Sequence, residues 1–553
     1  MLAVLLILLT GFPLLVTGTE IVQPEKSEIT LKQAERIYRD GVLPSGKVLT
    51  AVAEADIELT GLQVACANCH RRSGLGTNEG NLVMPPITRE FLFQAKKLGR
   101  EHRFLYKTEG SGTRPAYTME SLKKVIREGI DSSGRELGRL MPRYNLTDQE
   151  SDALVAYLST LESSSSPGVT EEEIHFATIV SDQVDQSEKK AVLDIIESYF
   201  KKKNAGTRLE TRRAENAPWH RDWKYESYRK WKLHVWTLTG SSDTWEAQLN
   251  KYYSEQPVFA MLSGLAYGSW QPIHDFCEQN HVPCLFPNTD LPVLSESDYY
   301  TFYFSKGLFL EAEVLAKYLR DERTKDSRLK VVQVYRAEGK GKTAAQQFRK
   351  KLKLHINDTL FDQSIKIEEA IDKQFWEKLI GEHKQSIFVL WLNKQDLKTV
   401  TEVANDSKDI KRIFISGTLI TEDLVDVVPD SIRNIAEVIY PFEQPDKMPM
   451  LLYRSNAWLK AQNLAGKYQK LQANTFYVLR AVGRTIMHLR DKFSREYFIE
   501  LVEHISEKLL VSSVYPRLTL GPGQRYASKG AYILRFSGEK KKQLVPVSSW
   551  IIP

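Results

Sequence analysis

The stretch Cys66-Ala67-Asn68-Cys69-His70 decides how the first third of this chain is interpreted. Two cysteines separated by two residues and followed directly by histidine form the attachment pattern of c-type haem. Each thiol in that pattern carries one thioether link to the porphyrin, and the adjacent imidazole binds the iron. A redox-active or zinc-binding CxxC is the alternative, but a second pair of metal ligands is missing nearby. We therefore expect one covalent haem c, attached through Cys66 and Cys69, with His70 as an axial ligand.

The second axial ligand is predicted to be Met141, in the irregular stretch Gly138-Arg139-Leu140-Met141-Pro142-Arg143-Tyr144. Methionine sulfur is the usual partner of histidine in electron-transferring haem, because it raises the potential. The capping-box sequence Thr147-Asp148-Gln149-Glu150 follows and predicts a helix start. Met84 is the rival ligand, and core packing is the alternative role for Met84 and Met119.

Residues 30–161 resemble a class I, single-haem cytochrome c domain. The resemblance rests on the CxxCH stretch and on Leu140-Met141-Pro142 before the last helix. It implies an all-α domain whose first helix begins after Thr30 and packs on the last helix. It also implies that Pro85 or Pro86 supplies a carbonyl to the His70 ring.

Length and charge describe the rest of the chain in general terms. The 553 residues suit two or three domains. A formal charge of +6 is small for this length, and no nucleic-acid-binding signature is present.

The apolar run Leu2–Val16 is typical of the core of a signal peptide, which we place over residues 1–19, although no Lys or Arg precedes it. We expect a periplasmic protein with no stable membrane span after cleavage; an uncleaved N-terminal anchor is the alternative.

Ser163-Ser164-Ser165-Ser166-Pro167-Gly168 is the clearest linker in the sequence. A serine-rich run that ends in Pro-Gly has no apolar period and buries nothing. We place the main domain boundary in a linker over residues 162–172.

Apolar strands alternate with amphipathic helices from residue 173 onward. Ile174–Val180, Val258–Leu262 and Val331–Tyr335 are predicted strands, and Thr343–Leu354 and Leu397–Ala404 are predicted helices. Such alternation favours parallel sheets covered by helices on both faces. The pattern extends far enough for two sheets.

Residues 173–545 resemble the type 1 periplasmic solute-binding fold of branched-chain amino acid receptors. The segments that carry the likeness include Val258–Gly264, Val282–Asn288, Tyr303–Ser305 and Tyr515–Arg525. The resemblance implies a two-lobed α/β domain, with hinges near residues 305 and 440 and a ligand held between the lobes.

The loops that match the family's ligand-binding positions supply eight candidates, each with an alternative role as an ordinary turn residue. Those candidates are Ser263, Tyr267, Asn288, Thr289, Asp290, Tyr335, Asn393 and Thr418. The chain lacks a run of small hydroxyl residues after Gly264, which weakens the expectation of an amino-acid ligand.

The stretch Gly339-Lys340-Gly341-Lys342-Thr343 is similar to a phosphate loop but lacks the first glycine of that motif, because position 336 is Arg336. It predicts the start of a basic helix instead.

Cys277 and Cys284 are a candidate disulfide pair, since an oxidising compartment favours pairing. Two buried, unbonded thiols are the alternative.

We expect an electron carrier and binding protein rather than an enzyme. The larger domain would bind a small solute or dock a redox partner protein. A solute-binding receptor for a transporter or sensor, with an accessory haem, is the second hypothesis.

Overall fold

A computed structural model describes residues 29–79, 82–97, 113–161, 166–216, 229–295, 298–322, 328–354, 358–402, 409–420, 424–464, 466–489, 492–538 and 542–553. The predicted signal peptide and Ser163–Ser165 lie outside these residues. The chain divides into two compact units, residues 1–161 and residues 162–553.

The first unit is built mainly from short helices. Its helices are α1 (Leu31–Asp40), α2 (Cys66–His70), α3 (Arg89–Leu92), α4 (Met119–Glu128) and α5 (Asp148–Leu158). Its strands are β1 (Thr50–Val52), β2 (Glu58–Thr60), β3 (Thr77–Glu79), β4 (Leu82–Met84), β5 (Lys96–Lys97), β6 (Thr113–Arg114) and β7 (Arg143–Tyr144).

The first and last helices of this unit pack against each other in its core, as the sequence predicts. Thr30 and Gln33 complete a capping box at the start of α1, and Gly41 ends the helix in the left-handed conformation. Ala34, Ile37 and Tyr38 are fully buried. The ring of Tyr38 packs on that of Tyr157 in α5, with centroids 5.4 Å apart.

The expectation of an all-α first unit is wrong in one respect. Strands β1, β2 and β7 form a three-stranded antiparallel sheet in the order β2-β1-β7. Ala51 pairs with Tyr144, so the sheet ties the chain before the CxxCH helix to the chain after Met141. Strands of two or three residues are too short to show a period-two pattern in the sequence.

The second unit contains two sheets, and the first has six parallel strands. They are β8 (Glu173–Ser181), β9 (Lys230–Leu238), β10 (Ala260–Leu262), β11 (Cys284–Leu285), β12 (Thr301–Ser305) and, from much later in the chain, Tyr526–Ser528. That late strand becomes β18 in chain order, and the sheet order is β18-β12-β11-β10-β8-β9.

The second sheet has seven strands. They are β13 (Lys330–Arg336), β14 (Thr359–Ile365), β15 (Ser386–Trp391), β16 (Ile410–Ser416), β17 (Ala436–Tyr440), β19 (Tyr532–Ser537) and β20 (Gln543–Pro546). The order is β14-β13-β15-β16-β17-β19-β20. The first five are mutually parallel, and β19 and β20 run antiparallel to their neighbours.

Helices cover both sheets. They are α6 (Gln186–Asn216), α7 (Trp245–Glu255), α8 (Gln271–Gln279), α9 (Leu308–Asp321), α10 (Lys340–Lys351), α11 (Lys373–Glu382), α12 (Lys394–Lys398), α13 (Leu424–Val427), α14 (Met448–Ala461), α15 (Gln469–Leu489) and α16 (Arg495–Lys508). The predicted helix Leu397–Ala404 is instead α12 followed by a 3-10 turn over Thr399–Glu402, and its last two residues lie outside the described part.

The chain passes between the two sheets three times. It leaves the six-stranded sheet after β12, returns after β17 to helix α15, which packs on α6, and crosses again between β18 and β19. Each crossing therefore follows a strand, at about residues 305, 440 and 528.

Candidate functional site

The CxxCH stretch forms a helix of its own on the wall of a cavity in the first unit. Helix α2 spans Cys66–His70, and the cavity beside it has a volume of about 310 Å³. The lining is mostly apolar and includes Val64, Ile87, Leu92, Val125, Leu137, Leu154 and Leu158. Both cysteines and His70 also line it. An apolar cavity beside two cysteines and an imidazole is the environment that a covalent porphyrin requires.

The ring of His70 is held by a backbone carbonyl. Its Nδ1 lies 2.9 Å from the carbonyl oxygen of Pro85. A carbonyl only accepts hydrogen bonds, so Nδ1 carries the proton and Nε2 keeps the lone pair that a metal needs. The resemblance implied Pro85 or Pro86 for this contact, and the structure places Pro85 there.

Two of the three candidate methionines line the same cavity. Met141 and Met84 are both among its lining residues, whereas Met119 is 41% exposed and is not. Met84 directly precedes Pro85, whose carbonyl contacts the His70 ring. The backbone of Met84 therefore lies on the same side of the cavity as His70. Met141 is the better candidate for an iron ligand on the other side.

The segment that carries Met141 is held by Arg143, which sequence reasoning did not single out. Its guanidinium donates to the carbonyls of Met141 at 2.6 Å and Leu137 at 2.5 Å. Gly129, at φ +74°, lets this guanidinium approach, since a Cβ there would lie 1.8 Å from the Arg143 Cζ. Arg143 thus closes the loop between residues 137 and 141.

Two further polar side chains at the cavity were missed. Tyr144 donates to the Val64 carbonyl at 3.0 Å. Burial raises the pKa of the Cys66 thiol to about 12. Arg114, 1% exposed, donates to the carbonyls of Pro115 and Phe91 and adds a positive charge to the wall. Neither carries a motif that a single sequence reveals.

A second cavity, of about 1,100 Å³, lies in the second unit where loops from both sheets meet; we call it the cleft. Six of the eight predicted ligand-binding residues line it: Tyr267, Asn288, Thr289, Asp290, Asn393 and Thr418. Strand carboxyl ends of open α/β sheets favour such a site.

Ser263 and Tyr335 are not among the residues that line the cleft. Ser263 is buried and supports its neighbour, since its hydroxyl accepts from the Asn288 amide at 2.9 Å. Tyr335 is half-buried against the core beneath the seven-stranded sheet.

Several candidates at the cleft hold their own loops in place. Asn393 caps α12 by accepting from two backbone amides, and the Thr289 hydroxyl accepts from Leu291. Asn288 also accepts from Asn474 at 3.3 Å. The contacts of Asn393 and Thr289 are local and match the alternative role of these residues in helix caps and turns.

Asp290 is the charged centre of the cleft. Its carboxylate lies 2.6 Å from Lys340 Nζ, at the start of α10, and 3.3 Å from Lys470 Nζ, in α15. Burial alone would raise the pKa of Asp290, but the two lysines lower it to about 2. Burial opposes the charge on Lys470, yet Asp290 keeps the pKa of Lys470 above its usual value.

Glu311, in α9, is fully buried and does not itself line the cleft. It holds Thr418, which does line the cleft. Its oxygens accept from the Thr418 amide at 2.8 Å and from the Ser416 hydroxyl. Burial raises the pKa of Glu311 to about 7, although both hydrogen bonds act in the other direction.

Cys277 and Cys284, the candidate disulfide pair, are two buried free thiols in this structure. Cys277 Sγ also lies 3.5 Å from Met261 Sδ. Burial raises the pKa of Cys277 well above its usual value. Within the described residues, no helix is both long enough and apolar enough to cross a bilayer.

The family model of cytochrome c matches residues 62–162, which confirms the resemblance of the first unit. No curated protein sequence matches the chain significantly.

Solved structures similar to the chain include solute-binding proteins of the class to which residues 173–545 were likened. A fatty acid ABC transporter substrate-binding protein from Thermomonospora curvata is 14% identical, with a TM-score of 0.47, over 70% of this chain and 95% of that one. A branched-chain amino acid ABC transporter protein from Thermus thermophilus, with bound valine, is 12% identical, with a TM-score of 0.48, over 70% and 98%. A leucine-binding protein from Thermotoga maritima is 11% identical, with a TM-score of 0.46, over 69% and 99%.

Proposed function

We propose that this protein is an exported electron carrier with one haem c, fused to a two-lobed domain that binds a small solute or docks a redox partner protein. The observation that carries the proposal is the apolar cavity that brings together Cys66, Cys69, His70 and Met141. We propose Cys66 and Cys69 as the attachment sites and His70 and Met141 as the axial ligands.

The residues of the first unit suit electron transfer better than catalysis. Haem, when bound, supplies a reversible one-electron change at its iron. The Pro85 carbonyl fixes the tautomer of His70, and the apolar lining keeps water away from the site. A methionine in the sixth position leaves no place for a substrate, so we do not propose an enzyme.

The second unit supports the binding part of the proposal. We propose that each sheet with its helices is one lobe, and that the crossings near residues 305, 440 and 528 form the hinge. The cleft then lies between the lobes, where polar side chains from both reach a ligand. Periplasmic export is part of the proposal, because haem c is attached outside the cytoplasm.

A solute-binding receptor with an accessory haem is the second candidate, favoured by the size of the cleft. The two functions differ in what the haem does. A carrier exchanges electrons with a partner whether or not the cleft is filled, whereas a receptor needs the solute for its output.

A redox titration of the full-length protein, followed by absorption with and without solute, tests the proposal. We expect a reversible one-electron step in both conditions. Ready binding of carbon monoxide to the reduced protein, unchanged by Met141→Ala, would show an open iron site and contradict the carrier function. Electron exchange that occurs only in the presence of solute would favour the receptor.

A further inference from the structure

Among the described ion pairs that line the cleft, positive charges outnumber negative charges by one. Asp290 lies in the loop after β11 of the six-stranded sheet, and Lys340 begins the helix after β13 of the seven-stranded sheet. Their 2.6 Å ion pair therefore joins loops of the two sheets. Lys470 reaches the other oxygen of the same carboxylate at 3.3 Å. One carboxylate thus serves two ammonium groups.

The surroundings of Lys470 supply little further negative charge. Its side chain is 18% exposed, and its ammonium lies 5.0 Å from the centre of the Phe442 ring. A second carboxyl group that acts on the charge of Lys470, Glu311, already accepts from Ser416 and Thr418. Lys470 is largely buried, and it shares its carboxylate partner with Lys340 at the longer of the two distances. Such an ammonium group should bind an anion strongly, because little water competes with the anion.

Three acidic side chains line the cleft among the described residues. Besides Asp290, the acidic side chains there are Glu188 and Glu338. Glu188 accepts from the Tyr267 hydroxyl, and Glu338 is exposed just before α10. The ammonium group of an amino acid lies next to its carboxylate and would face the like charges of Lys340 and Lys470, which disfavours an amino acid in this position.

Apolar side chains line the cleft beside these charges. These side chains include Leu265, Pro287, Leu291, Pro292, Leu419 and Leu471. They suit the hydrocarbon part of a ligand, since burying apolar surface favours binding.

We propose that the cleft binds a small monocarboxylic acid, whose carboxylate pairs with Lys470 and Lys340 in place of Asp290 and whose hydrocarbon part packs on the apolar wall. The inference rests on the proposed solute-binding function and names its ligand class. Asp290 is then a competitor of the ligand rather than a contact to it, and the ligand carboxylate takes over the bridge between the two sheets.

Isothermal titration of the full-length protein at pH 7 with three chain-matched probes tests this proposal. The probes are hexanoate, the zwitterion norleucine and the neutral hexan-1-ol. We expect hexanoate to bind at least about tenfold more tightly than either of the others, a difference that one charged contact readily provides. Tighter binding of norleucine, or no binding of hexanoate, would overturn the proposal.

Two variants test the roles of the charges. Lys470→Met should weaken hexanoate binding about tenfold or more, whereas Asp290→Asn should strengthen it because the competing carboxylate is gone. Lys373→Met is the control, since Lys373 does not line the cleft and pairs only with Glu377 among its described ion pairs. A loss of hexanoate binding in Asp290→Asn would contradict the exchange of carboxylates.

These experiments distinguish a failure of the carboxylic acid proposal from a failure of the proposed function. Binding of norleucine without hexanoate would leave solute binding intact and remove the carboxylic acid. The redox titration reports on the haem part independently of any of these probes.

Discussion

At the scale of single residues, the environment of a side chain separates candidates that the sequence leaves equal. Met84 and Met141 line the same cavity, but only Met84 is attached to the proline that contacts His70. The carbonyl of Met141 is instead held by Arg143. Because of this difference, we expect the sulfur of Met141, rather than that of Met84, to bind the iron.

Met141→Ala should remove the weak long-wavelength sulfur–iron absorption band of the ferric protein and lower its reduction potential. Loss of the thioether removes a ligand that favours ferrous iron. Met84→Ala is the matched control and should retain the band. If the band disappears in Met84→Ala and persists in Met141→Ala, the assignment is reversed.

Glu311 makes the second unit sensitive to pH. Its pKa is about 7 in the folded protein, above the ordinary 4.5, so the stability present below pH 4.5 is lost as pH rises through 7. That shift corresponds to as much as about 3 kcal/mol. Glu311→Gln should reduce the decline in unfolding free energy between pH 5 and pH 8, measured by urea denaturation. An equal decline in both proteins would refute this role for Glu311.

The sequence identifies residues that carry a motif and misses residues that act through packing. The CxxCH spacing and the Leu-Met-Pro stretch are local patterns, so Cys66, Cys69, His70 and Met141 were visible. Lys340 and Lys470 are separated by 130 positions and meet only because two sheets bring their helices to Asp290. A single sequence contains no signal for such a meeting.

At the scale of elements, helix ends were predictable where capping chemistry is local. Thr147 and Glu150 form the predicted capping box of α5, with the Thr147 amide 2.9 Å from Glu150 Oε2. The two- and three-residue strands of the first unit and the helices α14 to α16 were not predicted. The strands are too short for a periodic pattern to show, and the helices follow Ile435–Ile439, the last strand that the alternation of strands and helices predicts.

Gly129 helps to hold the Met141 loop, because it leaves room for the Arg143 guanidinium that donates to the Met141 carbonyl. Gly129→Ala should destabilise the first unit by about 1 kcal/mol from the left-handed backbone, plus about 2 kcal/mol from displaced Arg143 hydrogen bonds. Thermal unfolding measures the total, and the ferric sulfur–iron band should weaken as the loop moves.

Gly134→Ala is the matched control for that substitution. Gly134 has a similar φ of +78°, but a Cβ there meets no atom within 4 Å. It should show only the backbone cost and an unchanged band. Equal effects of the two substitutions would mean that the Arg143 contact does not hold the loop.

At the scale of the whole molecule, the order of the units and the alternation of strands and helices were readable from the sequence. The division after Leu161 falls beside the serine run, and both sheets contain the predicted strands. The antiparallel pair β19–β20 was not predicted, because its partner β17 is almost 100 positions away and pairing over that distance depends on the complete sheet.

Limited proteolysis should separate the two units on the N-terminal side of Ser166. From Ser166 onward the chain is fastened to the second unit: Ser166 donates to the Phe493 carbonyl at 2.9 Å, and Arg495 donates to Pro167 at 3.2 Å. The serine run before Ser166 has a composition typical of linkers, which are preferred sites of cleavage. Mass spectrometry of the fragments identifies the site, and a first cut within residues 173–545 would contradict the boundary.

The most direct test of the central claim is whether haem stays on the polypeptide after denaturation and extraction with acidified organic solvent. The account predicts a polypeptide whose mass is increased by one haem, and loss of that haem in the double variant Cys66→Ser with Cys69→Ser. The matched double variant Cys277→Ser with Cys284→Ser should keep it, because those thiols lie in the other unit. Haem that extracts freely, or that remains in the Cys66 and Cys69 double variant, would contradict the account.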